Sequence, residues 1–152
     1  MSCIFRTPEG KIVCMTKGAD SVIAEFLTSK SLETEHMQTQ PIVDQFARLG
    51  LRTLYLAERV IPEAEYEDWN ERARLAKLEV NNREEAVAKV DGEIERELEL
   101  IGSTAIEDKL QENVSDTIKF MKATGIKVWV LTGDKVETAT CIAISAGFKR
   151  RT

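Results

Sequence analysis

A chain of 152 residues, 43% hydrophobic and 31% charged, is long enough for one ordinary domain or two smaller units and too apolar to stay disordered. Its net charge of −5 argues against a nucleic-acid partner, which needs clustered Lys and Arg. No apolar run approaches the roughly 20 residues that span a bilayer, and the N-terminus lacks a basic-then-apolar signal pattern, so any membrane part is expected elsewhere.

"CIFRTPEGKIVCMTKGAD" reads as strands over 3–7 and 11–17 joined by a turn at Pro8–Gly10. A helix should follow, with Val22, Ile23, Phe26 and Leu27 on one face and Asp20 near its cap. Residues 29–38 are polar and read as a loop or weak helical turn, with His36 exposed. Thr39, Gln40 and Pro41 then open a helix that Gly50 stops. "LRTLYLAERV" at 51–60 is β-rich.

From Pro62 to Leu98 the period becomes helical. Tyr66, Trp69, Ala73 and Ala76 form one stripe, Val87, Val90, Ile94 and Leu98 another, and "VNNR" at 80–83 marks the bend of a hairpin. Between Glu63 and Glu99 there are 13 acids against 6 bases, a net of −7, so the rest of the chain carries +2. The acidity reads as a solvated hairpin face, with a recruiting surface as the alternative.

The last third alternates: strand 98–106, helix 109–124, strand 126–131, helix 135–146, with a division near Gly102. Strand 126–131 is apolar on both faces apart from Lys127, the pattern of a parallel strand covered by helices, and Gly125 and Gly147 sit at helix C-caps. This is a βαβα segment of an α/β layer fold. Cys3, Cys14 and Cys141 have no CxxC spacing, and with a single His36 they offer no zinc ligand set. They read as free thiols of a reducing compartment.

Two motifs could carry chemistry. In "KVWVLTGDKVETA", 127–139, Thr132 stands at the carboxyl end of a strand, where α/β sheets bind ligands. Gly133 lets backbone approach a ligand closely, the N–H groups that follow can receive an anion, and Asp134 can hold a cation or organise the loop. The alternative is a helix cap, since Asp134 and Glu137 fit a D-x-x-E capping box. "IEDKLQ" at 106–111 poses the same choice: Asp108 with Gln111 fits a capping pair, and Asp108 could also line the Thr132 crevice. Lys17, before Gly18, is either a point charge for a phosphate or purine or a solvated strand-end lysine. Arg52 offers a fork for phosphates or a surface ion pair, and Trp69 and Trp129 read as packing residues.

Taken in order, "KGADSVI" (17–23), "GLRTLYLA" (50–57), "YEDWN" (66–70), "LIGSTAIEDKLQENV" (100–114) and "GIKVWVLTGDKVETA" (125–139) resemble the cytosolic part of a P-type ATPase, specifically the phospholipid-flipping subfamily. The resemblance covers nearly the whole chain, and "IEDKLQ" stands where ion pumps usually show DPPR. It implies a mixed α+β and α/β fold. Residues 1–102 would be the later half of the nucleotide-binding domain, and 103–152 part of a haloacid-dehalogenase-like Rossmannoid phosphorylation domain.

By motif, Lys17 would contact ATP and Arg52 its phosphate end. Thr132 and Gly133 would hold the transferred phosphoryl, Asp134 would organise that loop near magnesium, and Asp108 would support the hinge and catalytic loop. Neither the DKTGT string that carries the phosphorylated aspartate nor the GDGxND string that supplies Mg2+ ligands occurs in the chain. The resemblance therefore implies a cytosolic fragment of an integral membrane ATPase, inactive alone. Its partners would be ATP with Mg2+, a phospholipid through the membrane part, and an accessory subunit. Open edges of strands 3–7 and 11–17 would let the fragment self-associate. The alternative is a free-standing, non-catalytic nucleotide-binding or regulatory module.

Overall fold

The opening run folds as read. In the computed structural model, which describes residues 1–107 and 109–148, β1 (Ser2–Arg6) and β2 (Ile12–Gly18) form an antiparallel hairpin in register Arg6↔Ile12. β2 then pairs antiparallel with β3 (Arg52–Ile61), Ile12 facing Ile61, and β4 (Glu99–Ile106) completes a four-stranded sheet ordered β1-β2-β3-β4. The strand over 11–17 is thus paired on both sides. Of the two strands expected to lie open, only β1 remains an edge.

The remaining elements are α1 (Asp20–Ala24), α2 (Ser29–Ser31), a π turn over Leu32–His36, α3 (Met37–Arg48), α4 (Glu63–Leu78), α5 (Arg83–Ile94), α6 (Val114–Ala123) and α7 (Val136–Ser145). The chain divides into two units, Met1–Thr39 with Leu54–Ser103, and Gln40–Thr53 with Thr104 onward.

In the first unit, period-2 alternation turns Ile12, Cys14 and Thr16 inward and leaves Met15 and Lys17 exposed. The α4–α5 hairpin covers that inner face: Ile12, Cys14, Ile61 and Ile94 form one buried cluster, with Ile4, Tyr66 and Trp69 packed against it. Trp69 places its ring on this core and donates its indole N–H to Val90 O at 2.8 Å, which ties α4 to α5.

Leu98, expected on the α5 stripe, lies beyond the helix and is fully buried. Its N–H donates to Phe26 O at 2.8 Å and its carbonyl accepts from Thr28 N–H at 2.9 Å, a parallel bridge with Leu27.

That bridge explains why 29–38 is helical rather than a loop. Thr28 caps α2 by accepting from Ser31 N–H at 3.1 Å, and the buried Ser31 hydroxyl accepts from Leu100 N–H at 2.9 Å. A polar residue is pinned inside by a strand some seventy positions away. The helical path then runs on into α3, so Pro41 sits in its fifth position instead of opening it. His36 is half-buried, its Nδ1 3.1 Å from Tyr55 Oη with the two rings edge to face, and is not the free loop histidine expected.

Charge ties the hairpin to β3. Arg59, whose side chain is 10% exposed, meets Glu65 at 2.9 Å and Glu97 at 3.4 Å, and Arg96 meets Glu65 at 3.2 Å. Burial pushes the Glu65 carboxyl up, and hydrogen bonds from Arg96 and Arg59 more than reverse this, leaving it below its ordinary 4.5. A carboxyl depressed in the folded state contributes stability above its unfolded value and loses it as pH falls through the folded one. Glu65→Gln is therefore expected to cost more stability at about pH 7 than at about pH 3, measured by urea unfolding at each pH. An equal cost at both would remove the charge from the account.

In the second unit, α6 starts at Val114, after Asn113 in a left-handed conformation (φ 64°), five residues later than expected. The N-cap Asn113 makes no side-chain cap bond, and the expected Asp108–Gln111 capping pair falls, with Asp108, outside the described residues. Gly125, at φ +83°, ends the α6 segment as expected.

The expected strand 126–131 is the largest departure. The run is neither helix nor strand, and Ile126, Trp129 and Leu131 are 54%, 80% and 94% exposed. A strand's N–H and C=O groups need a neighbouring strand, and no bridge to this run occurs among the described residues. The βαβα reading of the last third therefore lacks its strand here, and Trp129 is not a packing residue.

Candidate functional site

Apart from Asp108, which lies outside the described residues, the site residues named from sequence fall in two places. Lys17, near the end of β2, points away from the buried cluster and is exposed. It borders a cleft of about 220 Å³ walled by Met1, Cys3, Met15, Leu56, Ala57 and Ile101, with Ser2 and Thr16. The cleft is apolar, and the Met1 terminal ammonium beside it donates to Lys17 O at 3.0 Å. None of its lining residues is aromatic.

The second place is in the other unit, where the structure brings together three predicted residues. Arg52 Nε donates to Asp134 Oδ1 at 3.1 Å, and Thr132 Oγ1 donates to Asp134 Oδ2 at 2.8 Å while accepting from Asp134 N–H at 3.1 Å. Of the two readings of Arg52, the ion pair is the one that forms here. The pair is partly solvated, with side chains 54% and 22% exposed, so it orients Arg52 more than it stabilises the fold. Nothing lies within 4 Å of where a Gly133 Cβ would stand, so the loop backbone is open to an approaching ligand.

The capping box does not form. Lys135 holds the N-cap position of α7 with no side-chain cap bond, because the Asp134 carboxylate is committed to Arg52 and Thr132. As at any helix start, the first N–H groups of α7 have no intrahelical acceptor, the feature an anion would use.

Sequence reading missed the neighbours. Lys135 Nζ lies 3.9 Å from Asp44 Oδ1, and a 460 Å³ cleft is lined by Asp44, Ala47, Arg48, Lys135, Val136 and Glu137. Gln40 and Asp44, four apart on α3 and hydrogen-bonded at 2.9 Å, were the available signal.

Magnesium does not fit this loop as it stands. Among the described residues no three His, Cys, Asp or Glu cluster as a metal site, and the Asp134 oxygens face a guanidinium and a hydroxyl. No helix among the described residues is long and apolar enough to cross a membrane.

Residues 1–113 match the protein family described as P-type ATPase, cytoplasmic domain N. The chain is 48% identical over 145 residues to a phospholipid-transporting ATPase, DNF1, of Chaetomium thermophilum and to phospholipid-transporting ATPase IC of Homo sapiens, and 47% identical to phospholipid-transporting ATPase DRS2 of Saccharomyces cerevisiae. Each alignment takes in 95% of this chain but 9% to 11% of the relative, so the chain spans about a tenth of the length of the curated relatives it matches. The match over residues 1–113 takes in the whole four-stranded sheet and its covering hairpin, and the chain belongs to the P-type ATPase family through that cytoplasmic domain N.

Proposed function

We propose that this chain is the nucleotide-handling part of an ATP-driven, phospholipid-translocating P-type ATPase on the cytosolic side of a membrane. The relatives' names support the transported class, and the Lys17 cleft, inside the matched residues, is the observation that carries the nucleotide half. Residues 1–102 serve as nucleotide-binding domain and 103–152 as part of the phosphorylation domain. Lys17 meets ATP as a point charge, and Arg52 takes its phosphates in a planar fork. Thr132 and Gly133 receive the transferred phosphoryl, Asp134 orders their loop, and Asp108 supports the hinge. Magnesium, if bound, would be held mainly by the nucleotide's own phosphates rather than by this loop and would supply charge neutralisation there. Phosphoryl transfer rests on such positioning and electrostatics. The outer edge of β1 is where a second copy would add a strand.

The test is an NMR titration of labelled protein with magnesium-ATP. With no aromatic ring in the cleft, stacking worth about 1–3 kcal/mol is absent, so the dissociation constant is expected at about 1 mM or weaker. Lys17→Ala should weaken it further, and Asp108→Ala should leave it unchanged. No phosphate release or acyl-phosphate labelling should occur, since the chain has no DKTGT string. Shifts confined to residues 63–99 and indifferent to Lys17 would overturn the reading.

A further inference from the structure

Thr138 lies on α7 and is 3% exposed. A helical threonine commonly turns its hydroxyl back on the carbonyl four residues earlier. Here it donates instead to Leu51 O at 3.2 Å, eighty-seven positions away. One turn along the same helix, Cys141 Sγ donates to Arg48 O at 3.2 Å. Between these two contacts Gly50 adopts φ +86° and approaches so closely that a Cβ there would stand 2.9 Å from Cys141 Cβ. The turn 48–51 is therefore seated on the Thr138–Cys141 face of α7 by three contacts.

Leu51 C=O and Arg52 N–H belong to one rigid peptide plane. Holding that oxygen fixes the direction in which the chain leaves the turn, and with it where the Arg52 side chain begins. Arg52 Nε then meets Asp134 Oδ1, four residues before Thr138 and just ahead of the same helix.

We propose that Thr138 is a positioning residue for Arg52: its buried hydroxyl grips the Leu51 carbonyl so that the guanidinium is delivered to the Thr132–Asp134 loop. This rests on the reading of Arg52 as a phosphate ligand and names what aims it. An anion entering over Gly133 then meets a cation already in place, without the cost of ordering a long side chain.

The test uses the whole chain and inorganic tripolyphosphate, which probes the phosphate groups apart from the Lys17 cleft. Arg52→Ala is expected to weaken tripolyphosphate binding about tenfold. Thr138→Val, equal in shape but lacking the hydroxyl, should weaken it as much, Thr138→Ser should restore it, and the Arg52→Ala/Thr138→Val pair should lose no more than either alone. Independently, the Arg52 Nε–Hε resonance should move on Asp134→Asn in the parent and in Thr138→Ser, and not in Thr138→Val. If Arg52→Ala weakens binding and Thr138→Val does not, the positioning role is overturned while the phosphate reading stands. If Arg52→Ala has no effect, the phosphate reading falls and the resonance alone decides for Thr138. Should Thr138→Val not fold, Thr138→Ala set against Thr138→Ser makes the same comparison.

Discussion

Leu98→Ala is expected to destabilise the first unit by about 2–5 kcal/mol. The side chain has no solvent exposure, so its removal leaves a void as well as losing the transfer of its methyl groups out of water. Its backbone N–H and carbonyl stay bonded to Phe26 and Thr28, so the loss reports side-chain packing alone. Trp69 reports on this unit directly, and Trp129→Phe, at an exposed position, silences the other tryptophan. Urea unfolding followed at Trp69 gives the number, with Leu78→Ala, at 64% exposure, expected within about 0.5 kcal/mol as the control. A Leu98→Ala cost as small as that control would mean the buried Leu98 side chain carries little of the packing.

Gly50→Ala should cost the second unit about 2–4 kcal/mol from two separable sources. A side chain at φ +86° clashes with its own backbone, and the new Cβ would also stand 2.9 Å from Cys141 Cβ, an atom fixed to the helix that cannot swing away. Gly125→Ala isolates the first source, since it shares a φ of +83° but has nothing within 4 Å of its Cβ. It should cost only about 1–2 kcal/mol. The measurement is exchange of the slow amide hydrogens of α7. Equal costs at the two glycines would show that the turn yields to the Cys141 contact.

What the sequence made legible was what short-range pattern determines. The β1–β2 hairpin announces itself by alternation around Pro8–Gly10, and α4 and α5 by stripes broken at 80–83. What it hid were long-range partners. Ser31 looks like a loop residue until Leu100 N–H takes its hydroxyl, and His36 until it meets Tyr55. Asp134 and Glu137 spell a helix cap, and Arg52, from a distant segment, claims the carboxylate first. The run 126–131 spells a covered strand, yet an apolar pattern states only a demand for burial, and among the described residues no strand pairs with it. At the site, residue types were readable from motif; that Arg52, Thr132 and Asp134 join in one bonded group was not.

The cover of β2 arrives late. Ile12 and Cys14 pack against Ile94, some eighty residues further along, so the inner face of the β1–β2 hairpin is made long before the helix that buries it. At about 5–20 residues per second of synthesis, that apolar face stays incompletely covered for roughly 4–16 seconds on every nascent chain. Over that interval a ribosome-associated chaperone, or the same segment on a neighbouring polysome chain, competes for it with a hairpin not yet translated. Fast codons between Ile61 and Ile94 would shorten the interval, and rare ones there would lengthen it.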